Sequence, residues 1–166
     1  LGRKIKWVGN PIRPGVVASK PNHRQNFSER SDFRLLIMGG SQGAEVLNRL
    51  VPAAMLRLPA ADRPKVIHQC GQAWYAETAF RYSELGIEAN IVGYIEDIAS
   101  AYKNSDLVIC RAGAMTLAEI AAVGAASLLV PFPNAAGDHQ AKNAAFMAKR
   151  GAARVIPQDQ LSSETL

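Results

Sequence analysis

The sequence predicts an α/β domain: a parallel sheet with helices on both faces. Short apolar runs alternate with segments of helical periodicity from residue 33 to residue 156, the signature of repeated strand–helix–strand units. The 166 residues are 48% hydrophobic and 20% charged, enough apolar content for one domain with a real core and too much for disorder. No internal repeat or low-complexity segment breaks the alternation.

Residues 4–9 read as a short strand that Asn10-Pro11 ends, and residues 13–32 as a polar segment holding Pro14, Gly15 and Pro21. Residues 1–32 are therefore expected to be a lead-in strand and linker, and residues 33–166 the domain proper. Residues 33–38 are an apolar run too short for a helix, hence a buried strand. Residues 42–58 are a helix with Val46, Leu47, Leu50, Val51, Ala54 and Met55 on one face. A strand over 65–70 and a helix over 72–85 come next, then a strand over 90–94 and a short helix over 96–103. After these come a strand over 107–110, a helix over 114–123 and a strand over 126–130. A Pro-rich loop leads to a helix over 138–150, and residues 154–156 form a last strand. Ser162-Ser163-Glu164-Thr165-Leu166 resembles the opening turn of a helix, and the first residue is Leu1 rather than Met. The expectation is a domain cut at both ends from a longer protein.

The net charge of +5 is unevenly spread. Residues 1–34 hold eight Lys/Arg against two Asp/Glu, a balance of +6, while the remainder holds eleven against twelve, a balance of −1. A nucleic-acid binder shows a basic stripe interleaved with aromatics, whereas this basic stretch has only Trp7, Phe27 and Phe33. It reads as a solvated lead-in, with an anionic membrane surface or a partner domain as the lesser option. The longest apolar stretch, 117–132, is interrupted by Glu119, Gly124 and Ser127, so no span is expected. The start lacks the apolar centre of a signal peptide. Cys70 and Cys110 form no CxxC pair and read as buried, reduced thiols of a cytoplasmic protein.

Three strand-to-helix junctions stand out, at the strand ends where open parallel sheets bind ligands. Gly39-Gly40-Ser41-Gln42-Gly43-Ala44 lets the backbone turn sharply and opens a helix whose free N–H groups suit phosphate; it is neither GxGxxG nor Walker A. Its bland alternative is a tight turn. In the second, Gly113 opens a helix and Glu119 falls in its second turn, outside the core, as a ribose acceptor or a solvated residue. In the third, Asp138 is a good N-cap, and Gln140 and Asn143 share a helix face on which two neutral amides suit sugar hydroxyls or simply solvent; His139 adds only a solvated ring. His68 reads as a core or sheet-edge histidine. No DxD, HExxH or His/Cys cluster is present, so neither a metal site nor a cofactor is expected.

Six segments in one order, GNPIR, GGSQGA, HQCG, GYIEDI, CRAGAMTLAEI and VPFPNAAGDHQAKNA, resemble the C-terminal half of the MurG family of N-acetylglucosaminyltransferases. The resemblance covers Val8 to about Ile156. It implies one Rossmann-like half of a GT-B glycosyltransferase, binding UDP-N-acetylglucosamine. It assigns the lipid I acceptor, the membrane surface and the catalytic base to the other half, so no catalytic residue lies in this chain and the chain alone binds without transferring. It implies that Arg13 and the backbone at Ile95 meet uracil and that Gly40, Ser41 and Gln42 hold the diphosphate. Glu119 would take the ribose hydroxyls. Gly113 and Ala114 would bring backbone N–H groups to the sugar, and Gln140 and Asn143 would read its hydroxyls. The implied reaction is inverting, metal-free and free of nucleic acid, on a peripheral enzyme at the cytoplasmic face of the bacterial inner membrane. A GT-B sugar-nucleotide epimerase and a stand-alone nucleotide-binding module are the competing readings; the DHQAKNA and CRAGA segments favour the transferase.

Overall fold

The computed structural model describes Lys6, residues 8–18 and residues 32–166. Its six strands are β1 (Arg34–Met38), β2 (Lys65–Gln69), β3 (Asn90–Val92), β4 (Leu107–Cys110), β5 (Ser127–Leu129) and β6 (Arg154–Val155). They form one sheet in the order β3-β2-β1-β4-β5-β6, every neighbouring pair parallel. The expected parallel sheet is thus present, and the order reverses direction between β1 and β4, the arrangement of a doubly wound dinucleotide-type fold.

Period-two alternation sends successive residues to opposite faces. In β1, Leu36 joins one buried cluster and Leu35 and Ile37 the other; in β4, Val108 and Cys110 point one way and Ile109 the other. Helices α2 (Glu45–Arg57) and α3 (Tyr75–Glu84) cover the face of Ile37. The opposite face is covered by α4 (Ile98–Lys103), α5 (Ala114–Val123) and α6 (His139–Ala148). Right-handed crossovers account for this split, because the chain changes side when it jumps from β3 across the sheet to β4.

The expected strand over 4–9 falls mostly outside the described residues, and Val8, Gly9 and Asn10 form no strand. The polar segment holds a one-turn helix, α1 (Pro14–Ala18), whose Val16 is fully buried in the cluster that α4 and α5 share. Residues 14–18 are therefore part of the domain rather than linker; Pro14 supplies a helix-compatible φ at the first position. Near the C-terminus, Ser162 Oγ accepts from the N–H groups of Glu164 and Thr165 at 3.2 Å each, so the expected capped turn forms.

Under α2, a polar network lies inside the core. Asn48 Nδ2 donates to the Cys70 carbonyl (3.1 Å), which leaves its Oδ1 for His68 Nε2 at 3.0 Å. The His68 proton therefore sits on Nε2, and Nδ1 accepts from the Tyr82 hydroxyl at 3.0 Å. With no neighbouring charge to offset it, burial lowers the His68 pKa from 6.5 to about 4 and pushes the Tyr82 phenol up. The unfolded chain protonates His68 as pH falls through 6.5, while the fold resists until about 4. The resulting stability is complete above pH 6.5 and is lost between these two values. Urea titrations are expected to show an unfolding free energy about 2 kcal/mol lower at pH 5 than at pH 7. His68→Gln should flatten that difference.

Candidate functional site

The order reversal between β1 and β4 leaves a crevice beyond their carboxyl ends. Three helices, α2, α5 and α6, start along it after the adjacent strands β1, β4 and β5. None of the three is capped by a side chain. Their first N–H groups are orphan donors at a positive dipole end. By contrast, α4 is capped by its own Asp97, which accepts from the Ser100 N–H (3.0 Å) and hydroxyl (2.6 Å). Ser100 in turn holds the Asp97 carboxyl below its ordinary range.

The loop at residues 39–44 depends on glycine at three places, one of them Gly43, where φ is +77° and a Cβ would run into the Cys70 carbonyl. Gly39 lies where a Cβ would sit 2.7 Å from the Ala44 nitrogen, and Gly40 has φ +79° with open space around it. A neighbouring side chain fixes the turn. Gln69 Oε1 accepts from the Gly40 N–H (3.0 Å), and Gln69 Nε2 donates to the carbonyls of Gly40 (2.8 Å) and Gly93 (3.0 Å). Of the three residues expected to hold phosphate, Gly40 thus has its N–H already engaged and shapes the turn. Ser41 and Gln42 are exposed just before α2.

At the second junction Gly113 is the N-cap of α5, with an extended backbone. Glu119, expected outside the core, is only 2% exposed. The helix turns it inward against α4, where the Tyr102 hydroxyl donates to Oε2 (3.2 Å) and Arg13 Nε lies 3.1 Å from Oε1. The Arg13 contact is close enough for an ion pair but misdirected for a hydrogen bond, so Oε1 remains an unsatisfied acceptor. Burial, then the Glu119 charge, raises the Tyr102 phenol, whose hydroxyl stays protonated as the donor. Asn10 Nδ2 adds a bond to the Ala114 carbonyl (3.3 Å). Ile95 packs on the same cluster as Ile12 and lines a cleft of about 320 Å³ with Tyr94 and Ser100.

The third junction departs from expectation at its cap. Asp138 adopts a left-handed conformation (φ 55°, ψ 26°), following a left-handed Gly137, and makes no side-chain cap. Gln140 and Asn143 share a helix face as expected, and both meet one residue of the second junction, Ala112. Gln140 Oε1 accepts from the N–H groups of Ala112 (3.2 Å) and Phe132 (3.0 Å), and Asn143 Nδ2 donates to the Ala112 carbonyl (3.2 Å). The Gln140 amide nitrogen has no protein acceptor among the described residues. Arg111 donates to the Val130 carbonyl (3.2 Å) and stacks on Phe132, fixing the loop from the other side.

The structure thus brings Arg13 to Glu119, and Gln140 and Asn143 to the loop of Gly113 and Ala114. Sequence reasoning gave no role to Gln69, Tyr102 or Arg111; the signals available for Gln69 and Arg111 were the HQCG and CRAGA segments, where a polar side chain ends or follows a strand, and Tyr102 had none. Among the described residues, no three His, Cys, Asp or Glu side chains gather as metal ligands. Cys70 and Cys110 are free and buried, and burial pushes the Cys110 thiol up to about 12.

A doubly wound parallel sheet with three open helix starts at its switch point defines a Rossmann-like class of domain. The chain belongs to the glycosyltransferase family 28 C-terminal domain, which matches residues 34–166. It is 49% identical over 164 residues to the UDP-N-acetylglucosamine–N-acetylmuramyl-(pentapeptide) pyrophosphoryl-undecaprenol N-acetylglucosamine transferase of Aromatoleum aromaticum, covering 99% of this chain and 46% of that protein. The protein of the same name from Dechloromonas aromatica is 48% identical over 162 residues, covering 96% and 46%. The crystal structure of Acinetobacter baumannii MurG superimposes with a TM-score of 0.76 at 38% identity, over 85% of this chain and 42% of that one. The glycosyltransferase of kitacinnamycin, at 17% identity and a TM-score of 0.62 over 87% of this chain and 36% of that one, shares the fold. The chain spans about half the length of the curated relatives it matches. The family resemblance read from the six segments is borne out.

Because Glu119 is buried, its removal strands the buried Tyr102 hydroxyl, while the half-exposed Arg13 turns to water. Glu119→Ala is therefore expected to lower the unfolding free energy by about 1–3 kcal/mol, measured by urea denaturation. An unchanged midpoint would return Glu119 to the solvated class.

Proposed function

We propose that this chain is the donor-binding half of an inverting glycosyltransferase, carrying N-acetylglucosamine from UDP-N-acetylglucosamine to lipid I to give lipid II. The observation that carries the reading is the row of three uncapped helix starts at the switch point, in a chain of this family. Arg13 and the backbone at Ile95 contact uracil, and the unsatisfied Oε1 of buried Glu119 takes a ribose hydroxyl. The start of α2, with Ser41 and Gln42, holds the diphosphate. Gly113 and Ala114 approach the sugar, and Gln140, through its open amide nitrogen, and Asn143 read its hydroxyls.

The acceptor hydroxyl oxygen forms the new bond to the anomeric carbon while the bond to the diphosphate breaks. UDP leaves with that electron pair, and the hydroxyl proton passes to a base supplied by the other half. Charge growing on the departing diphosphate meets helix N-termini worth about 0.3–2 kcal/mol each. Lipid I and the cytoplasmic membrane surface are contacts of the whole protein. No helix among the described residues is long and apolar enough to cross a membrane.

Calorimetry is expected to show UDP and UDP-N-acetylglucosamine binding to this chain, with affinity for UDP unchanged by EDTA, and no transfer to lipid I by the chain alone. A large loss on chelation would sink the helix-terminus account.

A second expectation concerns the sugar. Gln140→Ala should weaken UDP-N-acetylglucosamine roughly tenfold and narrow its advantage over UDP-N-acetylgalactosamine. UDP itself should lose less. Equal losses for UDP and the sugar nucleotide would assign Gln140 to loop structure only.

A further inference from the structure

We infer that Gln69 is a positioning residue that locks the diphosphate loop to the nucleobase loop, so that its loss is felt by diphosphate ligands and not by nucleosides. The inference rests on the donor-nucleotide reading and deepens it.

The geometry is unusually complete for one amide. Gln69 is the last residue of β2 and is 5% exposed. A primary amide offers one oxygen and two N–H groups, and all three functions are used: one bond to the Gly40 N–H, one to the Gly40 carbonyl, one to the Gly93 carbonyl. Both ends of the Gly40 residue are thereby held by one rigid group. Gly40 cannot rotate either adjacent peptide without leaving a polar group of a nearly buried amide unpaired, a cost of the kind that fixes loop geometry. The backbone carbonyl of Gln69 adds a bond from the Gly39 N–H at 2.9 Å. The third arm reaches Gly93, two residues before Ile95, in the loop that carries the nucleobase in the proposed reading.

Gly40 then acts as the hinge pin of its loop. The amide on one side sustains its φ of +79°, and that orientation sets where Ser41 and Gln42 lie. Releasing Gly40 frees the backbone that faces phosphate. The nucleoside contacts rest elsewhere: Glu119 is held by Tyr102 and Ile95 by the α4 cluster. Selective loss is therefore the expected signature, and a purely structural role for Gln69 does not produce it.

The test uses Gln69→Glu, which keeps shape and the acceptor for the Gly40 N–H but presents a carboxylate to two carbonyl oxygens. Gly40→Ala is the second variant, since a Cβ there meets nothing within 4 Å and only the positive φ is disturbed. Dissociation constants for uridine and UDP are measured on wild type and both variants, with urea unfolding alongside to fix the folded fraction. UDP is expected to weaken tenfold or more, with uridine changed less than threefold, in each variant that remains folded. Equal losses for uridine and UDP, unchanged UDP affinity, or two variants that both fail to fold overturn the positioning role and leave Gln69 a stability residue. Wild-type protein that binds neither ligand overturns the donor-nucleotide reading, and this inference with it.

Discussion

The reversal of strand order between β1 and β4 is the constraint on which the rest of the molecule depends. Connections on either side of that point leave in opposite directions, so no crossover helix covers the gap. The helix starts after β1, β4 and β5 are left facing solvent at the one place where the sheet cannot close over them. The sheet itself is held by period-two burial on both faces, which fixes the register: a one-residue slip would turn every core side chain to the wrong cluster. The site inherits its geometry from that register.

Loops at such a crevice must be held without filling it, and this fold does so with neutral amides. Gln69 binds the first loop to the third strand's loop, while Gln140 and Asn143 grip the two ends of Ala112. Asn48 and His68 repeat the device beneath α2. An amide can donate and accept at once, so one side chain satisfies a loop peptide in both senses. It also brings no charge that would compete with a ligand for the helix dipole.

Most of the architecture was legible in the sequence because it arises from local alternation. Residues 33–38 and 107–110 are strand-length apolar runs, and 42–58 carries a clean helical stripe. The features that were not legible depended on distant partners. Glu119 looks like a second-turn surface residue until Tyr102, in another helix, and Arg13, from before the first strand, are brought beside it. Val16 is one apolar residue in a polar segment, and only the groove between α4 and α5 makes it core. Asp138 has the chemistry of a cap, but the left-handed Gly137 before it turns its backbone away from capping geometry. The fold class and the family were readable; the pairings that shape the site needed the third dimension.

The absence of cations from the first loop, residues 39–44, has a consequence for how the site attracts an anion. A lysine acts at long range and tolerates imprecise placement, whereas the field of a helix end fades within a turn. Attraction built on dipoles therefore demands that the backbone be held where the ligand's oxygens fall. The tight glycine at Gly39, the saturated amide of Gln69 and Ala112, held at both its N–H and its carbonyl, are what that demand looks like in a chain. Rigidity at the loops and the absence of cations from the first of them are two expressions of a single physical choice.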